Sequence, residues 1–251
     1  MRKIHEKLIR AKPIKVENIL ISLPTLNEIF DLGLDKYLEY LQSIIIDISD
    51  LNLDTEIFAG EEFSDYQIFI MLLLTSKDFQ NTFFEAMQLF TNDTFVFEQE
   101  HIVGLRKTVT EEGEVSFEFN QILTEEFWLE MRKVLSLAHM QEEPKRYDYA
   151  NAKAKAIMEK LRKNKEEVQR IKAKRGQSES LEVYELIGSV CTHSKAYNLF
   201  NVWNLTYYQF FDHYYRLNIN DNYHFSLQSI LAGADPKKVK VEHWTSSIKT
   251  N

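Results

Sequence analysis

The sequence predicts a mainly α-helical protein with a small antiparallel β-sheet, α+β in its N-terminal part and all-α in its C-terminal part. Three observations carry this reading. Only seven Gly and four Pro occur in 251 residues, too few for the many turns of an all-β sandwich. Apolar residues recur mostly at spacings of three and four, the period of a helix face. One stretch, residues 94–119, instead alternates with period two on either side of Glu111-Glu112-Gly113, as strands joined by a turn do.

Each element has its own signal. Residues 13–23, PIKVENILISL, begin with proline and alternate loosely, which suggests an extended segment or edge strand able to extend that sheet. Thr25 and Glu28 form a capping box that opens a helix through Leu26, Ile29 and Phe30, and Gly33 stops it. A second helix runs from about Asp35 to Ile46. Ser64 and Gln67 make another capping box ahead of Ile68–Leu74, read as a short buried helix. Lys77 to Phe90 places Phe79, Phe83, Met87 and Phe90 on one side. Thr124 caps a helix from Glu125 to about Met140, with two acids in its first turn, where the helix dipole favours them.

Pro144 marks a boundary. Ala150, Ala154, Ile157, Leu161, Asn164, Val168 and Ile171 follow at alternating spacings of four and three, a thin heptad seam. Residues 145–175 hold twelve basic and four acidic side chains, leaving 18 basic and 34 acidic elsewhere in a chain of net charge −8. A basic rod therefore joins acidic flanks. It reads as a solvated connecting helix or as a seam for self-association through 150–171. No aromatics are interleaved to stack on bases, so nucleic-acid binding is not expected. The division is then 1–143, an α+β domain; 144–178, the basic connecting helix; and 179–251, an aromatic-rich helical unit.

In that last unit Ser180 opens a helix through Leu181, Tyr184, Ile187 and Val190. Residues 205–217 are apolar or aromatic in nearly every direction, which marks a buried helix. Its narrow polar stripe, Gln209, Asp212, His213 and Arg216, is expected to face solvent or a partner edge. A further helix, Asn222 to Leu231, ends at Gly233, and Trp244 is an aromatic hook in the tail. The residues read as a partner-binding face are Tyr207, Tyr208, Gln209, Phe211, Asp212, Arg216 and Trp244.

Reactive chemistry is not legible. The glycines are isolated, with no phosphate-cradling loop, and no HExxH or CxxC occurs. Cys191 and His193 lack third and fourth ligands at a metal-site spacing. His213 beside Asp212 is the best acid–base candidate and Cys191 the one thiol, but Asp212 is equally placed to pair with Arg216 one turn on. No catalytic, cofactor or metal residue is assigned, no enzyme is expected, and function falls to binding or assembly. The single cysteine fits a reducing compartment. Met1-Arg2-Lys3 is followed by no apolar core, so no secretory leader is expected. The longest apolar run, Ile68 to Leu74, is too short to span a bilayer, so no membrane role is expected.

Several short patterns, in order, resemble a group of tail-assembly, chaperone-like proteins from long-tailed phages of Gram-positive hosts. They are Pro24-Thr25-Leu26-Asn27-Glu28-Ile29 with Gly33 and Tyr37; Ser64-Asp65-Tyr66-Gln67-Ile68-Phe69; Thr124-Glu125-Glu126-Phe127 with Arg132; and Leu205-Thr206-Tyr207-Tyr208-Gln209-Phe210-Phe211-Asp212, then Gly233 and His243-Trp244. The resemblance implies a non-enzymatic protein of the infected host's cytoplasm that acts in tail morphogenesis. Its implied partners are the helical tape-measure protein, held soluble during assembly, and the tail tube subunits. The charged rod at 145–175 departs from the pattern and leaves open a baseplate or tail component retained in the virion. The acidic surface outside the rod motivates another alternative, a regulatory protein that binds a host or phage enzyme. On the non-enzymatic reading, Cys191→Ser leaves biological activity intact; complete loss of activity in a normally folded variant contradicts it.

Overall fold

Helix starts set the frame, and they form where capping residues stand. The structure, a computed structural model, describes residues 2–46, 63–98, 101–109, 115–141 and 182–248. In chain order the elements are α1 (Arg2–Ile9), β1 (Ile14–Val16), β2 (Ile19–Ile21), α2 (Leu26–Leu32), α3 (Leu34–Ile45), α4 (Asp65–Thr75), α5 (Lys77–Thr91), β3 (Thr94–Glu98), β4 (His101–Val109), β5 (Val115–Ile122), α6 (Glu125–Ala138), α7 (Val183–His193) and α8 (Tyr207–Leu231). The fold is mainly α with two small antiparallel sheets. Thr25, Ser64 and Thr206 each close a full capping box, with Glu28, Gln67 and Gln209 returning the bond. Such caps satisfy backbone donors that a helix start otherwise leaves to water.

The residues fall into two compact units, 144–200 and the remainder, 1–143 with 201–251. This differs from the sequence division at 179, since residues 201–251 pack with the N-terminal part. The physical reason is a long-range backbone contact. Thr25 and Thr206 meet as an isolated antiparallel bridge, and the Leu26 amide donates to the Leu205 carbonyl at 2.7 Å. Two capped helix starts thus lie side by side, and Trp203 meets Phe30 edge-on at 5.4 Å just before the second. Within the other unit, α7 begins at Val183, with Glu182 and Glu185 capping each other. The heptad seam at 150–171, the basic helix at 145–175, Ser180-Leu181 and the turn Glu111-Glu112-Gly113 lie outside the described residues.

Residues 13–23 form their own hairpin rather than extending the larger sheet. Ile14 and Val16 pair with Ile21 and Ile19, all four buried, around a turn where Glu17 takes positive φ. The larger sheet has order β3-β4-β5. Gly104 on β4 sits opposite Phe95, and a Cβ there would lie 3.0 Å from the Phe95 ring, so only glycine lets the ring close over the strand. The β4–β5 register shifts at Gly104/Leu105, a bulge that bends the strand.

The core has two aromatic centres. In the first, Phe69 of α4 stacks on Trp128 of α6 at 4.8 Å and meets Phe83 of α5 edge-on at 5.1 Å. Arg132 lies over the Trp128 ring at 4.3 Å and donates to the Ile46 carbonyl at 2.7 Å. Phe69 and Leu73 are the buried residues of α4, whereas Leu74 is 65 % exposed, so the run Ile68–Leu74 is not buried throughout.

The second centre is His139, just past the end of α6. Its ring lies 5.7 Å from Tyr37 of α3, 6.5 Å from Phe90 of α5 and 5.0 Å from Tyr207 of α8. His139 Nδ1 lies 2.7 Å from the Leu135 carbonyl, which can only accept, so Nδ1 carries the proton. Nε2 therefore accepts from the Tyr37 hydroxyl at 2.5 Å. Burial pushes the His139 pKa down to about 4, with the Leu135 bond opposing the shift, and burial drives the Tyr37 hydroxyl well upward.

The pH dependence follows. Unfolded, the histidine binds a proton near pH 6.5; folded, it refuses one until about pH 4. Its stabilising share is complete above about pH 6.5 and is lost as pH falls toward about 4, amounting to about 3 kcal/mol over the full shift. Thermal melting between about pH 7 and about pH 5 should show a falling midpoint, and His139→Gln should flatten that slope while lowering stability at neutral pH.

Candidate functional site

The first turns of α8 carry the residues from which a site can be built, because α1 packs against them. Gln209 does two things there. Its Oε1 accepts from the Thr206 amide at 3.0 Å, completing the cap, and its Nε2 donates to the Ile9 carbonyl at 2.9 Å, fixing the end of α1 to the start of α8. One turn along, the His5 Nδ1 and Tyr208 hydroxyl share a hydrogen bond at 3.1 Å. Asp212 then accepts from Arg216 through both oxygens, at 2.8 Å and 3.2 Å. That pair is the fork geometry of guanidinium and carboxylate. Asp212 is only 8 % exposed, while the Arg216 side chain remains half exposed.

Beside this row lies a groove of about 580 Å³. Its polar wall is Arg2, His5, Glu6 and Arg10 of the N-terminal segment with Tyr208, Asp212 and Arg216 of α8. Ile9, Leu137 and Met140 supply apolar surface, and Ser247 and Ile248 of the tail close one side. Burial, then the Asp212 charge, raise the Tyr208 pKa; the bond to Asp212 raises that of Arg216. The groove therefore presents a protonated phenol and a permanent guanidinium. It holds donors and an apolar floor, with no activated nucleophile on its walls. It is suited to holding an anionic or amphipathic ligand.

The seven residues read as candidates for partner binding do not all line this groove. Tyr208, Asp212 and Arg216 line the groove, and Gln209 is the clip at its edge. Tyr207 and Phe211 turn the other way: their rings stack at 4.3 Å, and Tyr207 goes on to His139. Burial holds the Tyr207 hydroxyl up, to about 12. Trp244 is exposed, its ring 5.6 Å from His243, and does not line the groove.

The polar stripe also needs correction, since Asp212 is buried rather than solvated. The aromatic helix continues without the break expected before Asn222, and it ends at Gly233 in a left-handed turn with Ala234 donating to Ser229. Tyr208, Phe210 and Asp212 are its buried residues, whereas Phe225 and Leu231 are exposed. A helix of this length runs about 37 Å, and α1 and the end of α6 meet it at its first turns.

Sequence reasoning missed α1 altogether. Its signals were Ile4 and Leu8 at a spacing of four and the Glu6–Arg10 pair, which forms at 3.2 Å. Among the described residues no group of three or more His, Cys, Asp or Glu could hold a metal ion, and no helix is long and apolar enough to cross a membrane. Cys191 is half-buried, and burial pushes its thiol pKa up, away from the reactive thiolate.

Residues 173–249 match the family described as the YomV second domain. That is a phage-like family, so this part of the chain is similar to a domain of phage proteins. The match covers α7, α8 and the tail, including the α8 wall of the groove, but not α1 or α6. No curated protein and no solved structure matches the chain.

Adjacent aromatics should separate cleanly. Phe210 is fully buried, so Phe210→Ala should cost about 3–5 kcal/mol. Phe211, only partly buried, should cost clearly less. Asp212→Asn should cost about 1 kcal/mol, more than the about 0.3–0.5 kcal/mol of an exposed helical pair, because the carboxylate is desolvated. Chemical denaturation of the three variants checks this order.

Proposed function

We propose that this chain is a phage protein of tail morphogenesis, a non-enzymatic binding protein that keeps a helical partner soluble during assembly in the infected host's cytoplasm. The partner proposed is the tape-measure protein, with tail tube or baseplate subunits as further contacts. The observation that carries the reading is the groove beside α8, which combines apolar surface with three arginines and two acids and whose α8 wall lies in the stretch similar to a phage-protein domain. A long amphipathic chain exposes apolar surface until it is packed, and a groove between helices can cover part of it.

Surface elsewhere supports the same reading. Val109, Val115, Phe117 and Phe119 share one face of the β4–β5 hairpin, and all four are exposed, Phe119 at 64 %. Apolar patches of this kind on a folded protein mark contact with another macromolecule. The test is co-expression with the tape-measure protein of the same phage and no other phage product. The tape-measure protein should move from the insoluble to the soluble fraction and copurify with this chain. A tape-measure protein that stays insoluble, or is soluble without copurifying, contradicts the proposal.

A further inference from the structure

The groove has a sign as well as a shape. Three arginines, Arg2, Arg10 and Arg216, stand on it against two acids, Glu6 and Asp212, in a chain whose net charge is −8. Asp212 engages Nε and Nη2 of Arg216, whose side chain is still 54 % exposed. Among the described residues Arg10 is tied to Glu6, at 3.2 Å with both side chains largely exposed, an ion pair that a competing carboxylate displaces at little cost. Arg2 has no acidic side chain within ion-pair distance among the described residues.

The floor carries a second observation. Met140 takes φ 53, the left-handed conformation at which helices usually end on glycine. Around it the Gln141 amide donates to Ser136 at 2.9 Å and the Met140 amide to Leu137 at 3.2 Å, a helix stop that glycine makes without strain. Methionine occupies the position instead, and its side chain lines the groove. Strain accepted at a binding surface points to use of the side chain that causes it. Methionine is also the apolar side chain that best adapts to varied partners.

We propose that the groove binds an acidic amphipathic helix of a partner protein, with its carboxylates on Arg2, Arg10 and Arg216 and its apolar stripe on Ile9, Leu137 and Met140. This rests on the reading of the groove as a docking site and adds the chemistry of what docks. A helix fits because α1 and α8, themselves helices, form the walls, so ridges of the ligand can enter between them. Acid is required because the walls hold more cationic than anionic groups, and complementary charge decides which partner stays.

The test uses the full chain and labelled helical peptides about four turns long. One set carries Glu beside a Leu stripe, and its twin carries Lys at the same positions. Fluorescence anisotropy should show the Glu peptides binding at least about tenfold more tightly than their twins, with affinity falling as salt rises. Arg2→Glu with Arg10→Glu should remove that preference with at most a small drop in melting temperature, since the Glu6–Arg10 pair it breaks is exposed. Met140→Gly should melt at or above wild type and bind the Glu peptides more weakly. Failure of every Glu peptide to bind, equal binding of the twins, or indifference to the double charge reversal overturns the proposal. Copurification of the tape-measure protein that survives the double reversal would overturn this groove chemistry alone. Glu peptides that bind while the tape-measure protein never copurifies would instead overturn the tail-assembly reading.

Discussion

The structure depends on a neutral histidine in a place where a charged one would not be tolerated. His139 is 5 % exposed, and rings from α3, α5 and α8 surround it. Both nitrogens are satisfied, one by the helix that carries it and one by Tyr37. A buried polar group that lacks either bond costs about 1–3 kcal/mol, so α3, which carries Tyr37, is held within hydrogen-bond reach of His139, while α5 and α8 pack on its ring through Phe90 and Tyr207. The contact also spans the sequence, from Tyr37 through Phe90 to Tyr207.

The groove inherits its geometry from that centre. His139 is followed directly by Met140 and Gln141, which turn the chain and put the Met140 side chain on the groove floor. Tyr207 packs on His139, and its neighbour Tyr208 faces the other way, toward His5. Consecutive residues of one helical turn therefore serve the core and the site. This coupling is why Tyr208 and Phe211, three positions apart in the same aromatic run, have unlike roles.

Much of the frame was legible because it is local. Capping boxes at Thr25 and Ser64 and the acid-rich start after Thr124 are readable within four residues, and the structure forms helices there; Thr206 caps the aromatic helix in the same way but was not read as a cap. Strand character over 94–119 followed from alternation, which is equally local, and the structure divides it into three strands, 94–98, 101–109 and 115–122. What was not legible is long-range. Nothing near Thr25 specifies that it will pair with Thr206, and nothing near His139 names Tyr37. The hairpin at 14–21 was read as one strand because its turn, Glu17-Asn18, lacks glycine. The sequence could show that residues 205–217 are aromatic all round, but burial there depends on which side α1 occupies, and α1 had not been seen. Hence Asp212 was placed on a stripe facing solvent or a partner edge, although packing within the chain buries it.

The central claim is that the first turns of α8 and the N-terminal helices are one cooperative unit, joined through His139 and the Thr25–Thr206 bridge. Native-state hydrogen exchange, followed by mass spectrometry across a denaturant series, tests it most directly. Amides of α3, α6 and residues 207–213 should lose protection together, in a single opening with the same denaturant dependence. If residues 207–213 exchange by a separate, lower-energy opening while α3 and α6 stay protected, α8 is an appendage and the account is wrong.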